Sequence, residues 1–269
     1  MSVFSSVLCA VDASSLASRV FKHAAGLARR CGARLTVMTI TKGDTRRADA
    51  EVRSMMRSVV PLDATFLNDM QLRVVHLAVG QPVDAILEEV RGGVDVVVVG
   101  THGKSDLSRW LLGSTSASLL REAVCPIMLV PPGQLEIVTV DAQGATFHPG
   151  AVMAAVDLEE QNERQLVLAS QLAAISGAPL AVMTVAPDGI TDEAAETALR
   201  ARTQGLTPTP AKVLVRRGAV PDTIDQAALA EHAGLVVMGV RDWRRGEPGQ
   251  TARAVLKSKD ALVLAVPSA

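Results

Sequence analysis

One stretch of this chain returns 145 residues further on. Val7-Leu8-Cys9-Ala10-Val11-Asp12 is echoed by Val152-Met153-Ala154-Ala155-Val156-Asp157, an apolar run closed by aspartate in both places. At the same offset Leu27-Ala28 meets Leu172-Ala173 and Gly32-Ala33 meets Gly177-Ala178. Residues 33–40 meet residues 178–185, and both stretches end in Val-Met-Thr followed by a β-branched residue. A period of this size is a duplicated domain, not a solenoid repeat. In 269 residues it leaves about 130 residues per copy, enough for each to bury a core of its own.

Each copy alternates strand and helix patterns. The first copy predicts strands over 6–11, 34–40, 71–78, 95–99 and 127–130. The helical pattern over 14–31 puts Ala17, Phe21, Ala24, Leu27, Ala28 and Cys31 on one stripe, with Ser14 or Ser15 as its cap. Further helices are expected over 45–60, 82–91 (with Pro82 in its first turn) and 114–123. The second copy predicts strands over 151–156, 179–185, 212–216, 235–238 and 262–266, and a shorter second helix over 192–202. Alternating strands and helices imply a parallel sheet with right-handed crossovers. The expected organisation is a domain over 1–132, a linker over 133–149 and a domain over 150–269. Residues 135–140 add a short strand to that linker.

The chemistry points to the end of the fourth strand. Val96 to Val99 is an unbroken β-branched run, suited to a strand buried on both faces. Gly100 ends it. Gly103 follows, then nine residues, then Gly113-Ser114-Thr115 and a helical pattern. Glycines let backbone approach a ligand closely. The free N–H groups and dipole at a helix start favour an anion. Ser114 or Thr115 can cap that helix or bind a phosphate oxygen. The residues therefore describe either a phosphate site at the carboxyl end of a parallel strand or a plain structural loop. No Lys-Ser/Thr follows the last glycine, which excludes a Walker A loop, and the spacing is too long for the dinucleotide fingerprint.

The whole pattern, Gly100-x-x-Gly103, nine residues, Gly113-Ser114, resembles the nucleotide-binding signature of the universal stress protein family. Thr101-His102-Gly103-Lys104, Leu111-Leu112 and Cys125-Pro126 strengthen the match. The resemblance implies two tandem Rossmann-like α/β domains, each a five-stranded parallel sheet of order 3-2-1-4-5 with helices on both faces. It also implies an ATP site, with Mg²⁺ carried by the nucleotide. In that site Ala10, Val11 and Asp12 border the adenine and ribose, and Val37 contributes to the adenine pocket. Val99 and Gly100 line the base and sugar side, while Gly103, Gly113, Ser114 and Thr115 hold phosphates. Asp12 suits ribose hydroxyls, or it is a strand-end cap for the following helix. Family members pair through their last strands, so the resemblance also implies an internal pseudo-dimer of the two halves and a homodimer of chains.

The second copy departs from the pattern. Gly239 stands at its strand end, but Asp242 replaces the second glycine and Gln250-Thr251 the final Gly-Ser. The second half is therefore expected to bind ATP poorly or not at all. His102 has no carboxylate partner visible in sequence, and the five histidines show no metal-ligand spacing. No catalytic residue and no metal ligand is assigned.

A net charge of −1 argues against a dedicated nucleic-acid surface. With no tyrosine, four phenylalanines and two tryptophans, stacking platforms for bases are not expected either. No apolar run reaches spanning length, and the opening residues, with no basic region, are not expected to be a signal peptide. Three scattered cysteines fit buried packing in a reducing, cytoplasmic setting. The reading is an ATP-binding stress-response or regulatory protein acting on a protein partner that the sequence does not name. The rival readings are a slow ATPase or nucleotidyl transferase, and a nucleotide-independent scaffold.

Overall fold

The computed structural model describes residues 2–60, 70–77, 80–101, 113–122, 124–133, 137–141, 144–160, 163–240 and 261–267. It divides into two compact units, one formed by Met1–Pro132 with Glu136–Phe147, the other by Gly133–Leu135 with His148–Ala269.

The first unit runs β1 (Ser6–Val11), α1 (Ala17–Cys31), β2 (Arg34–Thr41), α2 (Thr45–Val59), β3 (Gln71–His76), α3 (Pro82–Arg91), β4 (Val96–Gly100), α4 (Ser114–Glu122) and β5 (Ile127–Val130). Its strands are parallel in the order β3-β2-β1-β4-β5. The order reverses between β1 and β4, where such folds place their ligands. Val96 to Val99 are at most 4% exposed, as a β-branched run covered on both faces should be. The predicted stripe of α1 is buried throughout, with Phe21 at its centre.

The second unit runs β8 (Val152–Ala155), α5 (Arg164–Ser176), β9 (Leu180–Val185), α6 (Asp192–Arg202), β10 (Lys212–Arg216), α7 (Val220–Ala230), β11 (Leu235–Val240) and β12 (Leu262–Pro267). It repeats the order as β10-β9-β8-β11-β12, again parallel. Helix α6 is the shorter second helix that the sequence predicts, 11 residues against 15 in α2.

The repeated Gly-Ala pair has a local cause. Gly32 (φ 64°) and Gly177 (φ 65°) end α1 and α5 in the left-handed region, which glycine enters without a Cβ penalty. The alanine after each sends its N–H back into the helix, Ala33 to Ala28 O at 2.8 Å and Ala178 to Ala173 O at 3.1 Å.

Two local expectations need correction. Helix α1 starts at Ala17, not Ser14, and its cap position is Leu16, which makes no side-chain cap bond. Ser14 is used one turn earlier, where its N–H donates to Asp12 Oδ1 at 3.0 Å. Between the repeats, the sequence expects one strand over 135–140. The chain instead forms an antiparallel hairpin, β6 (Val138–Asp141) and β7 (Gly144–Phe147).

The hairpin packs on α1. Arg29 Nη1 donates to Ala145 O and Thr146 Oγ1, both at 3.3 Å. A Cβ placed on Gly26 would lie 2.9 Å from both Val138 methyls. Gly26→Leu is therefore expected to cost about 1–3 kcal/mol by overpacking. Urea denaturation measures that loss, and hydrogen exchange should show faster amides over 138–141 and 144–147.

Cys9, Cys31 and Cys125 are free and buried. Burial pushes the thiols of Cys31 and Cys125 up to about 11 and that of Cys9 further. At neutral pH they are protonated packing groups, not nucleophiles.

Candidate functional site

At the carboxyl end of β4 the chain is tied down by a short set of backbone and hydroxyl bonds. Thr101 N–H donates to Val130 O at 3.0 Å, which continues the β4–β5 ladder one residue past the strand. Thr101 O accepts from Gly113 N–H at 2.7 Å. Thr101 and Gly113 are thus bonded to each other across 11 residues of sequence. Ser116 Oγ donates to Gly100 O at 2.7 Å. Helix α4 is so anchored with its first turn directly over the β4 end. Gly113 O accepts the first intrahelical bond, from Ala117 N–H at 2.9 Å, so Gly113 occupies the cap position. The N–H groups of Ser114, Thr115 and Ser116 precede the first intrahelical bond and are the groups a helix start offers to an anion.

Residue placement follows from strand register. Cys9 pairs with Val98 on β4 and with Val37 on β2. Continued by two and then three residues, that register sets Val11 level with Gly100 and Asp12 level with Thr101. Ala10 is half-buried, Val11 buried and Asp12 exposed at the β1 end. Asp12 Oδ1 holds the Ser14 N–H, and its other oxygen has no partner among the described residues. Val37 is fully buried, two residues short of that level, where Thr39 faces Val11. Val99 is buried, Gly113 and Thr115 are half-buried and Ser114 is exposed. Gly103, with His102 and Lys104, lies outside the described residues.

Gly100 meets protein. A Cβ there would lie 2.7 Å from Leu16 Cδ2 and 3.3 Å from Val20 Cγ2, so close packing of the α1 start explains this glycine. Gly80 has φ +106°, which explains that one. Ser116 and Thr101 are the positions that sequence reasoning missed. Both are buried; the signal for Ser116 is a third hydroxyl after Gly113, and Thr101 stands in the loop motif without an assigned role.

Residues 4–131 match the model of the universal stress protein family. A Thermus aquaticus relative, "Universal stress protein in QAH/OAS sulfhydrylase 3'region", is 32% identical over 136 residues, which is 48% of this chain and 99% of the relative. This chain belongs to the universal stress protein family. A universal stress protein from Archaeoglobus fulgidus DSM 4304 shares the fold along the whole length, with a TM-score of 0.69 over 99% of both chains at 18% identity. A universal stress protein in complex with cAMP is also similar, at 26% identity over 47% of this chain and 96% of that one, with a TM-score of 0.37.

In the second unit of this universal stress protein, Asp157 makes the turn that Asp12 makes, with Oδ1 accepting from Glu159 N–H at 2.9 Å. Gly239 stands on β11 where Gly100 stands on β4. The departures read at Asp242, Gln250 and Thr251 lie outside the described residues. Among the described residues no group of His, Cys, Asp and Glu is arranged to hold a metal, and no helix is long and apolar enough to cross a membrane.

Proposed function

We propose that the first unit binds one adenine nucleotide, ATP with its Mg²⁺, and that binding sets the state this protein offers to a protein partner. The observation that carries this reading is the anchored start of α4. Gly113 caps it, Ser116 ties it to Gly100 O, and the N–H groups of Ser114 and Thr115 precede its first intrahelical bond. Asp12, one strand away, offers a sugar hydroxyl a carboxylate oxygen that has no partner among the described residues. Membership of the universal stress protein family supports the same ligand class.

Regulation then follows by linkage. A nucleotide shifts a conformational equilibrium only by its difference in affinity for the two states. Titration of the whole chain with ATP and ADP, read by hydrogen exchange, tests this. ATP is expected to protect residues 12–16 and 113–122, and ADP to protect them less. Equal protection by both removes the switch, and protection by neither removes the site.

The second reading is a nucleotide-independent scaffold. It is favoured by Gly100, whose lack of a side chain is already explained by Leu16 and Val20. An internal pseudo-dimer of the two halves and a homodimer of chains belong to the first proposal and rest on family resemblance; a cytoplasmic location belongs to it too and rests on the cysteine usage.

A further inference from the structure

The two units treat the loop after their first strand differently. The first reads Asp12-Ala13-Ser14-Ser15 and the second Asp157-Leu158-Glu159-Glu160. Both begin with the same aspartate turn. In the second unit a side chain from another element then closes on the loop. Arg202, the last residue of α6, donates to three backbone oxygens within four residues. Its Nη1 reaches Asp157 O at 3.0 Å and Glu160 O at 2.5 Å, and its Nη2 reaches Leu158 O at 2.7 Å. A guanidinium is a rigid planar fork of donors, so three carbonyls turned toward it fix the path of the loop. At the repeat offset the first unit has Arg57, which is exposed. No hydrogen bond joins it to residues 12–15 among the described residues.

The held loop carries a carboxylate to the strand end. A Cβ on Gly239 would lie 3.2 Å from Glu160 Oε2, whereas at Gly100 it would meet the Leu16 methyl. The ground beside the strand-end glycine is apolar in the first unit and acidic in the second. The four loop residues carry one carboxylate in the first unit and three in the second. The Arg202 guanidinium, spent on the loop carbonyls, offsets one of those three charges, and the remainder disfavours a phosphate.

We propose that Arg202 is a built-in ligand of the second unit, ordering its strand-end loop from within the chain and holding Glu160 beside Gly239, so that this end of the sheet is closed to phosphate groups. Arg202 is a positioning residue. The closure to phosphate rests on reading the first unit's counterpart as a nucleotide site, whereas the clamp itself does not.

Hydrogen exchange with mass spectrometry on the full chain tests it, comparing wild type, Arg202→Met and Arg202→Lys with and without ATP. The reporting amides are Glu159 N–H, bonded to Asp157 Oδ1, and Glu160 N–H, bonded to Asp157 O at 3.2 Å. In Arg202→Met these amides are expected to exchange at least tenfold faster while β8 and β9 keep their protection. Arg202→Lys, which keeps the charge and one reaching donor, should fall between. ATP should leave residues 157–160 unchanged in the wild type. Unchanged exchange in Arg202→Met overturns the clamp, and so does an Arg202→Lys protein no better protected than Arg202→Met. Protection of 157–160 by ATP in the wild type overturns the closure. If Arg202→Met loses protection throughout the unit, the Lys variant alone decides. Failure of the first-unit nucleotide site shows elsewhere, as residues 12–16 and 113–122 that ATP does not protect.

Discussion

The Gly113→Asp protein is expected to fold like the parent and to lose nucleotide binding by a factor of a hundred or more. The two effects separate because of where Gly113 sits. It is the cap residue of α4, with its carbonyl on Ala117 N–H and its own N–H on Thr101 O. Aspartate is among the best N-cap residues, since its carboxylate accepts from the second or third N–H of the helix. Here those groups belong to Thr115 and Ser116, so the helix keeps or gains stability. The same carboxylate takes the donors a phosphate would use and places a negative charge beside it. At about 4 Å and an effective dielectric of about 20, the repulsion is on the order of 4 kcal/mol, more than two decades in affinity. Gly113→Asn caps without the charge and should retain more binding. Calorimetric titration with ATP gives the affinities, and a thermal melt shows that both variants are folded. Parent-like affinity in Gly113→Asp would mean that phosphates do not reach the α4 start.

Phe21→Ala is expected to have the largest effect on stability, a loss of about 3–5 kcal/mol. Phe21 is fully buried on the inner stripe of α1, so losing its ring leaves a cavity in the core. For a unit of this size the melting temperature should fall by about 10 °C or more. Phe21→Leu keeps most of the volume and should cost less than about 1.5 kcal/mol. Because α1 begins at Ala17, beside the Leu16 that covers Gly100, Phe21→Ala should also speed amide exchange at Gly100 and Thr101. A Phe21→Ala protein as stable as the parent would mean that α1 is not held by this stripe.

What could be read in advance is what local sequence determines. The Val96–Val99 run admits little but a buried strand. The Gly32-Ala33 and Gly177-Ala178 pairs mark helix ends because a left-handed residue is needed there. Those elements gave a parallel sheet, the family resemblance gave its strand order, and the structure has that order in both units. The misses share a different cause. Ser14 looks like a helix cap, but its N–H closes a turn on Asp12 Oδ1 and α1 begins only at Ala17. Strand β7 is four residues long and opens on Gly144 (φ +114°). Its place is set by contact with Arg29 and not by its own propensity. Ser116 and Thr101 act through bonds to backbone atoms 16 and 29 residues away. The carbonyls that Arg202 clamps are 42 to 45 residues distant. No periodicity records such pairings. Of the expected site, the structure brings Ala10, Val11, Asp12, Val99, Gly100, Gly113, Ser114 and Thr115 to the ends of two neighbouring strands and the helix start above them. Val37 lies two residues deeper on β2.

The most direct measurement is the nucleotide content of the purified protein. Denaturing a known amount of chain and identifying the released small molecules by mass spectrometry gives both the species and its molar ratio. One adenine nucleotide per chain, restored by titration after removal, is the expected result. A chain that releases none and takes up none on titration contradicts the nucleotide site in the first unit, and two per chain contradicts the closure of the second.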